Sequence, residues 1–266
     1  MAQTSQHPVF SKVPAVTLGF WIVKILATTL GETGGDTVTM TWLHADTHPG
    51  NGGYLIGTGI FLAIFVAAVG VQIMERKFNA WIYWIAIVAS TTVGTTLADF
   101  SDRSLGIGYA GGSALLLLCV AASLFLWRVT LGSIDVQTVA TPKVEIFYWI
   151  TITFSQTLGT ALGDWMADDT GLGYAGGALV FALAIAAVAA LYYFTRVSHV
   201  LLFWAAFILT RPLGATVGDF LDKPLHDGGL AFSRPVASAI IAVAIVLLVL
   251  ILPQRAGKHP GHAAAP

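Results

Sequence analysis

Charged residues are scarce in this sequence: they make up 10% of its 266 residues, against roughly a quarter in a soluble domain. With 56% of the residues hydrophobic, so little charge cannot cover a water-soluble core, and the membrane is left as the solvent. Cysteine is nearly absent too. Cys119 is alone, in the apolar run 115–120, which excludes an internal disulfide or a thiolate metal cluster and leaves a packed thiol. The formal net charge of −1 offers no basic footprint for nucleic acid. No Ser-His-Asp, His-Glu-x-x-His or phosphate-loop pattern occurs, so enzyme chemistry and a bound cofactor are not expected.

What the chain does have is long apolar runs. Eight of them, near 14–35, 54–74, 79–99, 107–127, 145–165, 172–194, 199–219 and 235–252, approach the roughly 20 residues needed to cross a hydrocarbon core. They are too long and too uniformly apolar for barrel strands, so the expected fold is an all-α membrane protein with eight transmembrane helices. The first run carries Lys24 and ends in Gly31-Glu32-Thr33-Gly34-Gly35-Asp36, unlike a cleavable signal. The expected division is an N-terminal segment 1–13, a membrane domain 14–252 and a disordered tail 253–266 holding His259 and His262.

Orientation follows from Lys and Arg in the short connections. One face collects Lys12, Arg76, Lys77, Arg128, Lys143, Arg196, Arg255 and Lys258, and the other only Arg103, Lys223 and Arg234. Both termini are therefore expected in the cytoplasm, with acidic outer loops.

The strongest signal is a repeat. Trp21, Trp84, Trp149 and Trp204 each stand ten residues before Gly31, Gly94, Gly159 and Gly214, and each glycine stands five before Asp36, Asp99, Asp164 and Asp219. This W-x9-G-x4-D register defines four units of two spans, at about 14–77, 78–130, 143–196 and 199–252. An even number of spans per unit makes the repeats parallel rather than inverted. Units two and three also share residues 105–112 and 170–177, which differ at only two of eight positions. With these elements the chain resembles a bacterial integral membrane family of four tandem two-helix repeats, each with a characteristic tryptophan, known only as a repeat of unknown function. The resemblance implies the topology and a bacterial inner-membrane location, and no activity.

Function must come from the polar residues within the spans. Lys24 lies mid-span, where even low estimates charge a lysine about 2.5–3.5 kcal/mol. With Thr28, Gly31 and Glu32 it forms one helical stripe expected to face the interior, opposite carboxylates of other repeats. Arg211, beside Pro212, is its counterpart in the seventh span, and the equivalent positions Thr28, Thr91 and Gln156 are all polar. The four motif aspartates are expected near the outer ends of their helices, either as a carboxylate ring or as caps that end the helix. Glu32 and the four aspartates against Lys24 and Arg211 leave a formal −3, which favours a hard cation such as Mg²⁺, Mn²⁺ or Ca²⁺.

The expected ion pathway is thus Lys24, Thr28, Glu32, Asp36, Asp99, Asp164, Arg211 and Asp219, in a secondary transporter or exporter of a small cation, with or without proton coupling. A passive channel and a non-transporting scaffold are the alternatives. In the first outer loop His44, Asp46 and His48 form a candidate metal capture site, with His226 and Asp227 nearby if units one and four adjoin. Gly106, Gly108, Gly111 and Gly112 lack the strand–helix setting of a nucleotide site and are expected to serve close helix packing. The tryptophans are expected to act as belt anchors or packing wedges.

Overall fold

Thr17 starts the first helix by accepting a hydrogen bond from the Phe20 amide, Asn79 does the same for the Trp81 and Ile82 amides, and Pro142 opens the fifth helix. In a computed structural model, described for residues 10–48 and 52–258, these signals start α1 (Leu18–Asp36), α3 (Ala80–Asp99) and α5 (Pro142–Asp164). Between and beyond them run α2 (Gly53–Met74), α4 (Tyr109–Leu131), α6 (Gly173–Phe194), α7 (His199–Asp222) and α8 (Arg234–Ile251). The motif aspartate does not end its helix, contrary to the capping alternative. α1, α3 and α5 continue through it as π-helical turns at Thr37–Trp42, Phe100–Ser104 and Trp165–Asp169, and α7 runs unbroken through Pro212 to Asp222.

Among the described residues, six helices are long and apolar enough to cross a membrane: α2, α3 with its extension to Ser104, α4, α6, α7 and α8. α1 and α5 fall short of the expected eight because Lys24, Glu32 and Asp36, or Glu145, Gln156 and Asp164, dilute their apolarity. All six of those residues are buried inside the bundle.

The bundle is inside-out relative to a soluble protein. α1, α3, α5 and α7 form an inner ring in which each packs on the next and α7 packs back on α1. α2 lies on α3, α4 on α5, α6 on α7 and α8 on α1. Each outer helix therefore packs on the inner helix of the following repeat, and the last closes the circle on the first. The contact is the same at the seam as elsewhere: Thr58 Oγ1 donates to the Thr96 carbonyl at 2.8 Å, and Ser238 Oγ donates to Thr33 Oγ1 at 2.9 Å. The outer helices turn Leu62, Leu118, Leu183 and Leu247 outward, as a lipid-facing belt requires.

The motif glycine sets the spacing of the inner ring. A Cβ at Gly31 would run into Thr91, at Gly94 into Gln156, at Gly159 into Arg211 and at Gly214 into Thr28. A second small residue four positions on repeats the contact, with Gly35 against Thr95, Gly163 against Ala215 and Gly218 against Glu32. Two levels meeting in the same order mean that neighbouring inner helices run parallel and in register, as small-x3-small pairs allow. Of the four glycines expected to pack, Gly112 does, with Asp102 Oδ1 3.0 Å from an added Cβ, and the other three do not. Gly106 and Gly108 take positive φ (67° and 80°), and neither they nor Gly111 has a neighbour within 4 Å of an added Cβ. Their role is to shape the turn into α4.

β1 (Phe10–Pro14) pairs antiparallel with β2 (Ala256–Lys258), so both ends of the bundle's chain lie on one side. Residues 256–258 of the tail are thus ordered by pairing, against the expected disorder; His259 and His262 lie outside the described residues. Lys12 in β1 is buried. Its Nζ donates to Glu145 Oε1 at 2.6 Å and to the Gln72 and Ile73 carbonyls at 3.1 Å, satisfying the C-terminal end of α2.

Candidate functional site

Five tiers of side chains, four residues apart and hence about 6 Å along each helix, fill the inner ring. The first is aromatic: Phe20, Tyr83, Tyr148 and Phe203, each immediately before a motif tryptophan and each buried. Tyr83 and Tyr148 share a hydroxyl hydrogen bond of 2.7 Å. The tryptophans wedge around this tier. Trp84, Trp149 and Trp204 are buried, Trp21 is half-buried, and Trp204 Nε1 donates to the Ile134 carbonyl at 2.9 Å.

The second tier is Lys24, Ile87, Ile152 and Phe207, all fully buried. Lys24 does not meet a carboxylate, contrary to expectation. Its Nζ lies 4.2 Å from the Phe207 ring centroid and has no hydrogen-bond partner among the described residues.

The third tier is Thr28, Thr91, Gln156 and Arg211, and the fourth is Glu32, Thr95, Thr160 and Ala215, all buried. Arg211 joins them. Its Nη2 donates to Glu32 Oε2 at 2.9 Å, to Thr95 Oγ1 at 2.6 Å and to Thr160 Oγ1, and its Nη1 donates to the Thr28 carbonyl at 3.3 Å. One guanidinium thus ties together side chains from all four repeats on the axis.

The fifth tier is Asp36, Asp99, Asp164 and Asp219, at most 4% exposed. It lies a turn inside the helix ends, deeper than a surface ring. Arg103 Nε holds Asp99 at 2.9 Å, and Lys223 Nζ bridges Asp36 at 2.7 Å and Asp219 at 3.0 Å. Asp164 forms no ion pair among the described residues. Lys223 lies just beyond α7. Burial alone would lower its proton affinity, but Asp219, Asp36 and Asp222 outweigh burial and hold it well above the usual lysine range.

Arg103 and Lys223 belong on the outer face by the sequence count, yet Lys223 is buried in the site and Arg103, itself exposed, reaches in to Asp99. The expected −3 becomes −1, because five carboxylates now face four cations. Each stands four residues after a motif aspartate, an i,i+4 relation visible in the sequence. Oxygens of Glu32, Asp36 and Asp219 also lie within 4.8 Å of one another, the one group of three or more such ligands gathered that closely among the described residues.

Tyr54, Tyr109 and Tyr174 lie near the starts of α2, α4 and α6, the outer helices that pack on α3, α5 and α7 of the following repeats. The corresponding position in α8 is Arg234, 3.7 Å from both Asp222 and Asp46.

That contact takes Asp46 away from the proposed loop site. The His44 and His48 rings are 6.3 Å apart, His48 Nδ1 lies 3.0 Å from Thr47 Oγ1, and the three residues do not bring ligand atoms together as Glu32, Asp36 and Asp219 do. Units one and four do adjoin, but His226 pairs with Asp227 at 3.4 Å in the exposed fourth loop.

A pseudo-four-fold ring with a polar axis and apolar outer helices defines a tandem-repeat helical membrane protein. The chain belongs to the family described as Repeat of Unknown Function (DUF347), matched over residues 19–78, 82–132, 147–198 and 202–255. No curated protein and no solved structure matches it.

Proposed function

We propose that the protein is a secondary carrier of a small cation across a bacterial inner membrane, with a divalent metal or protons as the transported species. The observation that carries this reading is the buried tier of carboxylates at one end of an otherwise closed ring. Glu32, Asp36 and Asp219 offer hard oxygen ligands within 4.8 Å of one another. Asp164 is a buried carboxylate without an ion pair, which in a membrane interior calls for a proton or a cation. Lys223 occupies the place between Asp36 and Asp219, so an arriving cation exchanges with a tethered one and the local charge stays nearly constant.

A carrier is favoured over a passive channel because the axis is obstructed twice, by the Arg211–Glu32 knot and by the aromatic tier. A scaffold held by buried ion pairs does not account for Lys24, whose Nζ rests on the Phe207 ring and has no hydrogen-bond partner among the described residues. The end carrying β1 and β2 also carries the excess of Lys and Arg, which supports cytoplasmic termini and an acidic tier open to the outer side. The partners in this reading are the lipid bilayer and the cation itself.

Flux in proteoliposomes tests it. Mn²⁺ uptake should saturate and move protons in the opposite direction, and Asp164→Asn should slow it by roughly tenfold or more. Asp164→Asn frees no cation, so the variant should fold, whereas Asp99→Asn strands Arg103. Unchanged flux in folded Asp164→Asn removes the carboxylate tier from the mechanism.

A further inference from the structure

Three fully buried nitrogen donors on the inner faces of three different helices have no partner among the described residues: Lys24 Nζ on α1, Gln156 Nε2 on α5 and Arg211 Nε on α7. They belong to the adjacent second and third tiers. Lys24 sits over Phe207, one turn below Arg211, and Gln156 stands one turn below Thr160, which accepts from the same guanidinium. Lys24 shares its level with Ile87, Ile152 and Phe207, and above the donors is the Arg211–Glu32 pair.

These three side chains carry six unpartnered N–H bonds and, among themselves, one unpartnered oxygen, Gln156 Oε1. The charge is as unbalanced as the hydrogen bonding. Glu32 pairs with Arg211 at 2.9 Å, and no carboxylate lies within ion-pair distance of Lys24 among the described residues. The carboxylate tier lies twelve residues further along, about 18 Å by helical rise. A buried cation and unmet donors are costly unless something accepts from them.

We infer that Lys24, Gln156 Nε2 and Arg211 Nε form a binding site for a small monovalent anion of halide size at the centre of the ring. An anion there accepts from three helices at once and neutralises Lys24. The Thr28 and Thr91 hydroxyls do not compete for it, since both donate to backbone carbonyls. The site is distinct from the carboxylate tier and does not depend on transport.

Thermal unfolding of the purified protein in detergent, followed by tryptophan fluorescence at constant ionic strength, tests the site. Replacing gluconate by chloride or bromide should raise the melting temperature of the wild type with a saturable dependence. Lys24→Met should bind halide roughly 30-fold or more weakly and should melt in gluconate at or above the wild-type temperature, because its unpaired ammonium is gone. Gln156→Leu should show an intermediate halide response. The inference is overturned if the wild type ignores halide, if Lys24→Met keeps the wild-type halide response, or if Lys24→Met unfolds more readily than the wild type in gluconate.

Discussion

Replacing Gly159 by alanine adds one methyl group and should destabilise the bundle more than most side-chain deletions. The new Cβ would overlap Arg211 Cβ and Cγ and stand 3.1 Å from the Arg211 carbonyl carbon. Rotating the arginine side chain cannot relieve a contact with its own Cβ and backbone, so α5 and α7 must separate. Overpacking of this kind costs about 1–3 kcal/mol. Separation also stretches the Arg211 bond to Thr160 and loosens its hold on Glu32 and Thr95. A charge-assisted hydrogen bond contributes about 1.5–3 kcal/mol, which puts the total at about 2.5–6 kcal/mol.

At roughly 2–4 °C per kcal/mol for a chain of this size, the melting temperature in detergent should fall by about 5–24 °C. Gly111→Ala is the control. That glycine lies in the first turn of α4 with nothing within 4 Å of an added Cβ, and the substitution should be neutral or stabilising by up to ~1 kcal/mol. If Gly159→Ala melts within about 1 °C of the wild type, or if the two variants shift together, the helix spacing is not set by the motif glycine.

Two further outcomes follow from the buried ion pairs. Lys12→Met leaves Glu145 and the Gln72 and Ile73 carbonyls without their donor, and should cost about 3–5 kcal/mol by denaturant titration, with much of the loss recovered in Lys12→Met/Glu145→Gln. An additive double variant would mean that the pair is not coupled. Lys223→Met leaves Asp36 and Asp219 facing each other uncompensated. Its melting temperature should fall in EDTA and recover in millimolar Mg²⁺ or Mn²⁺ more than that of the wild type, and an equal response in both proteins would refute cation exchange at this position.

The sequence carried the repeat, the helix boundaries and most of the axial residues because all three are periodic. Lys24, Thr28, Glu32 and Arg211 were legible as an interior stripe, since a charged residue within a span has nowhere else to go. The same periodicity held two signals that a pattern of invariant letters passes over: the aromatic residue before each tryptophan, and the small residue four positions after each glycine. Partner choice was not legible. Glu32 lies within the reach of several cations by helical arithmetic, yet it pairs with Arg211 across 179 positions of chain. Arg103 and Lys223, which count as loop charges in a topology tally, turn inward because each inner helix runs on past its aspartate.

Composition and spacing by themselves determined that this is a helical membrane protein of four like units, because each span must satisfy its own backbone and bury its own polar face. Only the tertiary structure decided that each outer helix packs on the next repeat, so that the ring closes. The ring in turn determines which buried charges find a partner. Arg211 finds three side chains that accept its hydrogen bonds there, and Lys24 finds only the face of Phe207 among the described residues, a difference of surroundings between two cations that look alike along the chain.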